Sequence, residues 1–421
     1  MLELCATQGY AQTTVAHVIA LAGVSRPTFY EYHADKQDCL LAALERVYKE
    51  MLECLDAAVQ GVGAARPAQA AVDALARFAH EQPQMARVAI GEAMAAGPRA
   101  QDARDRAVAR LAATLERGYA PLCGGASAAD VDSRTLVGAC LRMLGQAQAG
   151  GGERNSEVAQ GLGQLIARYA RPLERHRWRS TSPLRGAAPR RRAAIALLAP
   201  APLSPGRPRA ASGQVAENHR MRILLATAEV IAEHGYLAST LSQIIRAAGV
   251  DGRTLHRVFS GKEQAFAGVQ ELAYQALMAA LAPAFLSSAP WPERIWRTMR
   301  ALGGWVADNP TIAHAIFVEA DAGEHGGRRL QENLSVLTVT LRDGYGHSDD
   351  ERAPTQAERE GMLTLVFETV YRRLRHGTRE QLYAIAPELS HVMLAPFLGV
   401  ERAERFIEER VRRAEGSRSD G

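Results

Sequence analysis

The stretch TTVAHVIALAGVSRPTFYEYHADK, Thr13 to Lys36, reads as two short helices around a glycine turn. Its first helix sets Val15, Val18, Ile19 and Ala22 at i, i+3, i+4 and i+7, which predicts a buried stripe. That helix stops at Gly23, a residue that takes left-handed backbone angles without a Cβ penalty. Ser25 is placed to cap the second helix by accepting a backbone N–H of its first turn. Pro27 falls just inside the start, where a missing N–H costs little. The second helix then carries Arg26, Thr28, Tyr30 and His33, groups suited to a groove and to phosphates rather than to a core.

The chain contains the pattern twice. A gapless shift of 226 positions lays Gly9-Tyr10 on Gly235-Tyr236, Thr14 on Thr240, Ile19 on Ile245 and Ala22-Gly23-Val24 on Ala248-Gly249-Val250. The same shift lays Thr28 on Thr254 and Lys36 on Lys262, so that nine of 28 positions are identical. Further on, His80 to Ala93 matches Asp308 to Ala320, aligning Pro83 with Pro310 and Glu92-Ala93 with Glu319-Ala320. This is an internal duplication. Before Gly235 the second copy has an amphipathic helix from about Glu217 to His234. The first copy shows only the back half of one, Met1 to Gln8, so its front is expected to be shortened or to lie upstream.

Gly9-Tyr10, Thr13-Thr14, Ile19-Ala20, Ala22-Gly23-Val24-Ser25, Thr28-Phe29-Tyr30, Tyr32 and Lys36 together resemble the DNA-binding segment of the tetracycline-repressor (TetR) family. The resemblance implies that Thr13, Thr14, Thr28, Tyr30 and Lys36 contact phosphates, which set register without reading sequence. Base reading then falls to Ser25, Arg26, Pro27 and His33, arginine on a guanine edge being the strongest such contact. In the second copy Asp251 replaces the capping Ser25, and His256 and Val258 replace tyrosines, while Thr240, Thr254 and Lys262 are kept and Arg253 and Arg257 supply positive charge that the first copy lacks there. Both units are therefore expected to bind DNA with different base preferences, unless the second has lost affinity.

The repeat divides the chain into a helix-turn-helix domain at 1–45, a helical regulatory domain at 46–174 and a Pro/Arg-rich linker at 175–214. A second helix-turn-helix domain at 215–270, a second regulatory domain at 271–413 and a disordered tail at 414–421 follow. Leu40, Leu41, Leu44, Tyr48, Met51, Leu52 and Leu55 form a helical stripe, and Pro83 and Pro310 start apolar helices. Each copy is expected to end in a helix pair, about Val131 to Gln148 with Val158 to Tyr169, and about Gln356 to His376 with Glu380 to Phe397. Strand alternation is nearly absent, so the fold class is all-α: two tandem units, each a three-helix helix-turn-helix domain followed by a helical domain. The linker, dominated by Pro, Ala, Ser and Arg, reads as disordered, and its arginines either lie over phosphates or solubilise it.

The resemblance implies that each helical domain binds a small-molecule effector and dimerises. Trp291, Trp296, Trp305 and Phe317 either line an apolar pocket or fill a core, and Glu92 and Glu319 are either ligand anchors or buried hydrogen-bonding groups. The family's homodimer pairs its last two helices. Here a linker of about 40 residues spans about 35 Å if flexible, so Val131 to Tyr169 is expected to pack on Gln356 to Phe397 within one chain. A homodimer of whole chains is the competing arrangement.

Net charge is only +4, so nucleic-acid contacts must be local, and Lys36 and Lys262, two of just three lysines, share one motif position. The five cysteines, Cys5, Cys39, Cys54, Cys123 and Cys140, show no CxxC pair or zinc spacing, and no metal or cofactor is expected. No apolar run is long enough to span a bilayer and no secretory signal opens the chain. The expected location is therefore the cytoplasm, with the nucleoid when bound to DNA. No nucleophile elbow, Walker loop or HExxH motif is present, and the histidines, such as His325 and His347, are scattered, so catalysis is not expected. The sequence reads as a transcriptional regulator acting as a ligand-responsive repressor. The alternative is a helical interaction protein whose helix-turn-helix units no longer bind DNA.

Overall fold

The computed structural model describes residues 1–61, 67–119, 131–169, 212–323, 326–348 and 353–416. Residues 175–211 of the expected Pro/Arg-rich linker, Cys123, His325 and the end of the tail, 417–421, lie outside the described residues. Among the described residues the chain is helical and forms no strand.

In chain order the helices are α1 (Leu2–Gln12), α2 (Val15–Ala22), α3 (Arg26–Tyr32), α4 (Lys36–Gly61) and α5 (Pro67–Glu81). A helix broken by a π-helical stretch follows, as α6 (Pro83–Ala86), Arg87–Glu92 and α7 (Ala93–Ala95). Next come α8 (Pro98–Tyr119), α9 (Ser133–Ala149) and α10 (Asn155–Tyr169). The second copy has α11 (Ser212–His234), α12 (Leu241–Ala248), α13 (Gly252–Val258), α14 (Lys262–Phe285), α15 (Trp291–Asp308) and α16 (Pro310–Phe317). It continues with α17 (Gly326–Thr338), a 3-10 stretch Val339–His347, α18 (Gln356–His376), α19 (Arg379–Tyr383), α20 (Ala386–Leu398) and α21 (Val400–Gly416). Helix α11 thus begins at Ser212, inside the segment read from sequence as linker.

The described residues form two compact units that do not coincide with the sequence repeat. Unit 1 draws on Met1–Arg179, Gly327–Thr369 and His391–Glu408; unit 2 draws on Ser180–Gly326, Val370–Ser390 and Glu409–Gly421.

In unit 1 the stripe of α4 is its spine: Leu40, Leu44, Val47, Tyr48, Met51 and Leu55 are all buried. This spacing puts every one of them on a single helical face. Tyr48, fully enclosed, donates its hydroxyl to the Ala89 carbonyl at 2.7 Å, fastening α4 to the π-helical stretch. The first-half helices α8, α9 and α10 pack against second-half residues that belong to the same unit. Arg104 Nη1 donates to Glu368 Oε1 at 2.6 Å, Arg168 Nε to Glu358 Oε1 at 2.8 Å, and the Tyr169 hydroxyl to the Val392 carbonyl at 2.7 Å. Glycines allow the close approach there. A Cβ on Gly161 would stand 2.5 Å from Ala357 Cβ, and one on Gly361 2.6 Å from Leu165 Cδ2.

In unit 2, α11 buries Ile223, Leu224, Ala228 and Ile231, and α15 buries Trp291, Ile295, Trp296, Met299, Leu302 and Trp305. Ion pairs tie distant elements together: Arg410 Nε meets Glu293 Oε2 at 3.0 Å, and Arg379 Nη2 meets Asp308 Oδ1 at 3.0 Å.

Candidate DNA-binding interface

Each helix-turn-helix is built by its caps. In the first copy Thr14 accepts the His17 N–H at 3.2 Å and opens α2, and Ser25 accepts the Thr28 N–H at 3.2 Å and opens α3. Between them Gly23 takes φ +66°, a conformation that a side chain would strain. In the second copy Thr240 and Gln243 form a capping box, with Gln243 N–H on the Thr240 hydroxyl at 3.3 Å and Thr240 N–H on Gln243 Oε1 at 2.7 Å. Asp251 caps α13 by accepting the Thr254 N–H at 2.6 Å. That bond, helped by the Thr254 hydroxyl and by Arg253 and Arg257, holds its carboxyl below the usual range, so it stays an anion.

The faces presented to solvent differ. On α3 Arg26, Pro27 and Tyr30 are exposed, and the Arg26 guanidinium lies 5.9 Å from the Tyr30 ring centroid. Tyr32, at the end of α3, is 76% exposed as well. Thr28 is partly buried, with its hydroxyl 2.8 Å from that of Ser25. On α13 Arg253, His256 and Arg257 are exposed, with Thr254 partly buried, and Arg246 of α12 adds a further exposed cation.

Several expectations are corrected. Thr13 is 1% exposed and donates its hydroxyl to the Gly9 carbonyl at 2.9 Å, so it locks the turn and offers nothing to a phosphate. Ser239, its counterpart, is buried in the same way on the Gly235 carbonyl. His33 ends α3, tilts against the Phe29 ring and sets Nδ1 3.6 Å from Asp38 Oδ2, which turns it to its own domain rather than to bases. The stripe of α2 is also thinner than its periodicity predicts: Val18 is buried, Val15 and Ile19 are partly covered, and Ala22 is exposed. In the second copy α11 covers that end, Arg222 donating to the carbonyls of Ala248 and Gly249, and Ala248 is buried. The stretch of α11 that carries Arg222 has no counterpart in α1.

Lys36 and Lys262 have a role that sequence reasoning missed. The Lys36 ammonium donates to the Tyr10 carbonyl at 3.0 Å and lies 4.0 Å from the Tyr10 ring centroid. Lys262 donates to the carbonyls of Tyr236 at 2.7 Å and Ser239 at 2.9 Å, with its ammonium 4.3 Å from the Tyr236 ring. Partial burial lowers both ammonium pKa values. Each lysine therefore staples the start of the long helix to the turn before the first motif helix. The signal was in the sequence, as a Tyr and a Lys repeated together.

The glutamates sit at the same joint. Glu92 accepts the Tyr10 N–H at 2.8 Å, so the reading of it as a ligand anchor gives way to that of a hydrogen-bonding group. Glu319 is buried beside Tyr236, and burial pushes its carboxyl up to about 7 against the pull of the Tyr236 N–H, Arg375 and Lys262. Trp305 and Phe317 are 4% and 6% exposed and lie in the core of unit 2. Among the described residues no His, Cys, Asp and Glu group is arranged to hold a metal, and no helix is long and apolar enough to cross a membrane.

A family profile described as bacterial regulatory proteins, tetR family, matches residues 2–43 and again residues 223–269. Among solved structures the chain is similar to a bacterial regulatory protein in the tetR family from Rhodococcus RHA1. The identity is 19% and the TM-score 0.36, over 42% of this chain and 96% of that one. No curated protein matches the chain.

Proposed function

We propose, for a chain that belongs to the TetR family of bacterial regulators and carries two tandem units, that it is a ligand-responsive repressor reading an operator with unlike half-sites. As a member of that family it is a DNA-binding transcriptional regulator. The observation that carries the finer reading is the pair of capped helix-turn-helix motifs with different exposed side chains. Arg26, Pro27 and Tyr30 stand on one recognition helix, and Arg253, His256 and Arg257 on the other. Arg26 and Arg253 are the base-reading candidates. Thr14 and Thr28, with Thr240 and Thr254, supply phosphate donors at helix starts, where the macrodipole already favours an anion, and Tyr30 adds a hydroxyl further along α3.

The two halves act as an intramolecular pseudo-dimer in this reading, supported by the packing of α8, α9 and α10 on second-half residues inside unit 1. The effector is an unidentified small molecule, and the protein works in the cytoplasm on chromosomal DNA. An electrophoretic shift with the chain's own upstream DNA at rising salt tests the reading. Binding should be specific and fall steeply with salt, since each neutralised phosphate releases counterions. Absence of a shift at low salt would leave the helical interaction protein as the better description.

A further inference from the structure

Where the two recognition helices begin, Ser25-Arg26-Pro27 of the first copy stands against Asp251-Gly252-Arg253 of the second. A neutral hydroxyl followed by a cation becomes an anion followed by bare backbone. Packing explains neither change. A Cβ on Gly252 would meet only Ile245 Cδ1, at 4.0 Å, so the fold leaves room for a side chain there. Asp251 is exposed, as Ser25 is, and the two do the same structural work, accepting the N–H of Thr254 and of Thr28. Serine and aspartate cap helices about equally well, so capping gives no reason for the charge.

That charge is held in a fixed direction. Oδ1 of Asp251 is tied to the Thr254 N–H at 2.6 Å, and no ion pair reaches the carboxylate among the described residues. Arg246 on α12 and Arg253 and Arg257 on α13 are exposed and likewise enter no ion pair there. An anion brought against DNA is repelled by phosphates, and in the major groove most base edges repel it too. Guanine shows two acceptors, adenine an acceptor beside its amino group and thymine an acceptor beside its methyl group, whereas cytosine alone shows an amino donor and no acceptor. The N-terminal residues of a recognition helix are the ones that meet base edges. A carboxylate fixed there finds a partner in one base and is turned away by the rest. The three arginines supply the phosphate contacts that bring the helix down in spite of the anion.

We propose that Asp251 is a specificity-determining residue: it accepts a hydrogen bond from cytosine N4 in the major groove and rejects the other bases at that position of the second half-site. Repulsion of the wrong base contributes to the choice as well as attraction to the right one. Arg26, the base-reading candidate of the first copy, has the opposite preference, for the acceptors of a guanine edge. The two units then require unlike half-sites for a stated chemical reason. The inference deepens the operator reading above and rests on it.

Selection of bound duplexes from a random DNA pool by the full chain tests the assignment, with Asp251→Asn and Asp251→Ser beside the wild type and a melting curve for each. The wild type should select cytosine at one position of one half-site by about 5- to 150-fold over the other bases. Asparagine and serine cap as well as aspartate, so both variants should keep the wild-type Tm. Both should lose the cytosine preference, and both should bind duplexes with another base there more tightly than the wild type does, because the repulsion is gone. A residue that only caps would move neither readout. Cytosine selection that survives in both variants overturns the proposal, and so does a wild type without that selection. Should Asp251→Asn fold poorly, Asp251→Ser carries the same two readouts. An enriched two-part site with no cytosine preference removes the Asp251 assignment alone; a pool with no enriched duplex even at low salt removes the DNA reading and the assignment with it.

Discussion

The carboxylate of Glu92 accepts the backbone N–H of Tyr10 at 2.8 Å, across 82 positions of sequence. Through this bond the π-helical stretch Arg87–Glu92 holds the turn from which α2 departs. The Lys36 ammonium holds the carbonyl of the same Tyr10. One residue's two backbone groups thus fix the orientation of the first DNA-binding motif.

Glu92→Ala leaves the Tyr10 N–H without its acceptor, so the variant should lose about 1–3 kcal/mol of stability, read as a lower urea midpoint. Its affinity for DNA should fall as well, because the motif loses its fixed seat. Glu92→Gln keeps an oxygen acceptor and should lie between wild type and Glu92→Ala; equal behaviour of the two variants would show that the bond is not what holds the turn.

Arg26 and Lys36 should separate cleanly. Arg26 is exposed, so Arg26→Ala should relax base preference at one operator position, by about 1–3 kcal/mol of discrimination, with Tm unchanged. Lys36→Ala removes the hold on Tyr10 and should lower Tm and weaken binding to all sequences alike. Selection of binding sites from a random pool, run beside a melting curve, measures both.

Buried Glu319 and half-buried His314 of unit 2 give opposite pH dependences. Burial raises Glu319 from 4.5 to about 7, so the folded state holds a proton that the unfolded state has released, and stability from this group falls as pH rises through that window. Burial lowers His314 from 6.5 to about 4, so the folded state rejects a proton that the unfolded state takes up, and stability falls as pH drops through 6.5 to 4. The windows overlap, so the two contributions oppose each other between about pH 4.5 and 6.5. Glu319→Gln should uncover a rise in stability with pH across that range, at up to about 1.4 kcal/mol per pH unit. Urea melts at stepped pH read this directly, and a flat profile in Glu319→Gln would contradict the assignment.

The two motif glycines should respond unequally to alanine. Gly23 has φ +66° and nothing within 4 Å of an added Cβ, so Gly23→Ala meets backbone strain alone, about 1 kcal/mol. Gly249 has φ +59° and Arg222 Nη2 2.7 Å from an added Cβ, so Gly249→Ala must also displace the guanidinium that holds the Ala248 and Gly249 carbonyls. Its loss should exceed that of Gly23→Ala, measured by chemical denaturation.

The local structure of this protein was legible in its sequence because local chemistry makes it. Ser25 and Asp251 cap because a short oxygen side chain reaches the free N–H groups of the next turn, and Gly23 and Gly249 end helices because they lack a Cβ. The spacing of Leu40, Leu44, Tyr48, Met51 and Leu55 specified a helix with one apolar face, and the repeated Gly-Tyr, Thr and Lys disclosed two units of one family. Tertiary structure alone decided what those local pieces face. Thr13 and Tyr32 differ in exposure, 1% against 76%, and the motif pattern that contains both does not encode that difference. Lys36 turned inward to Tyr10, and Glu92 found the same residue, because burial and charge pairing act through space. The same holds for Arg104 and Glu368, 264 positions apart: each is an ordinary charged residue in sequence, and only packing of α8 beside α18 removes the water that would otherwise have solvated both.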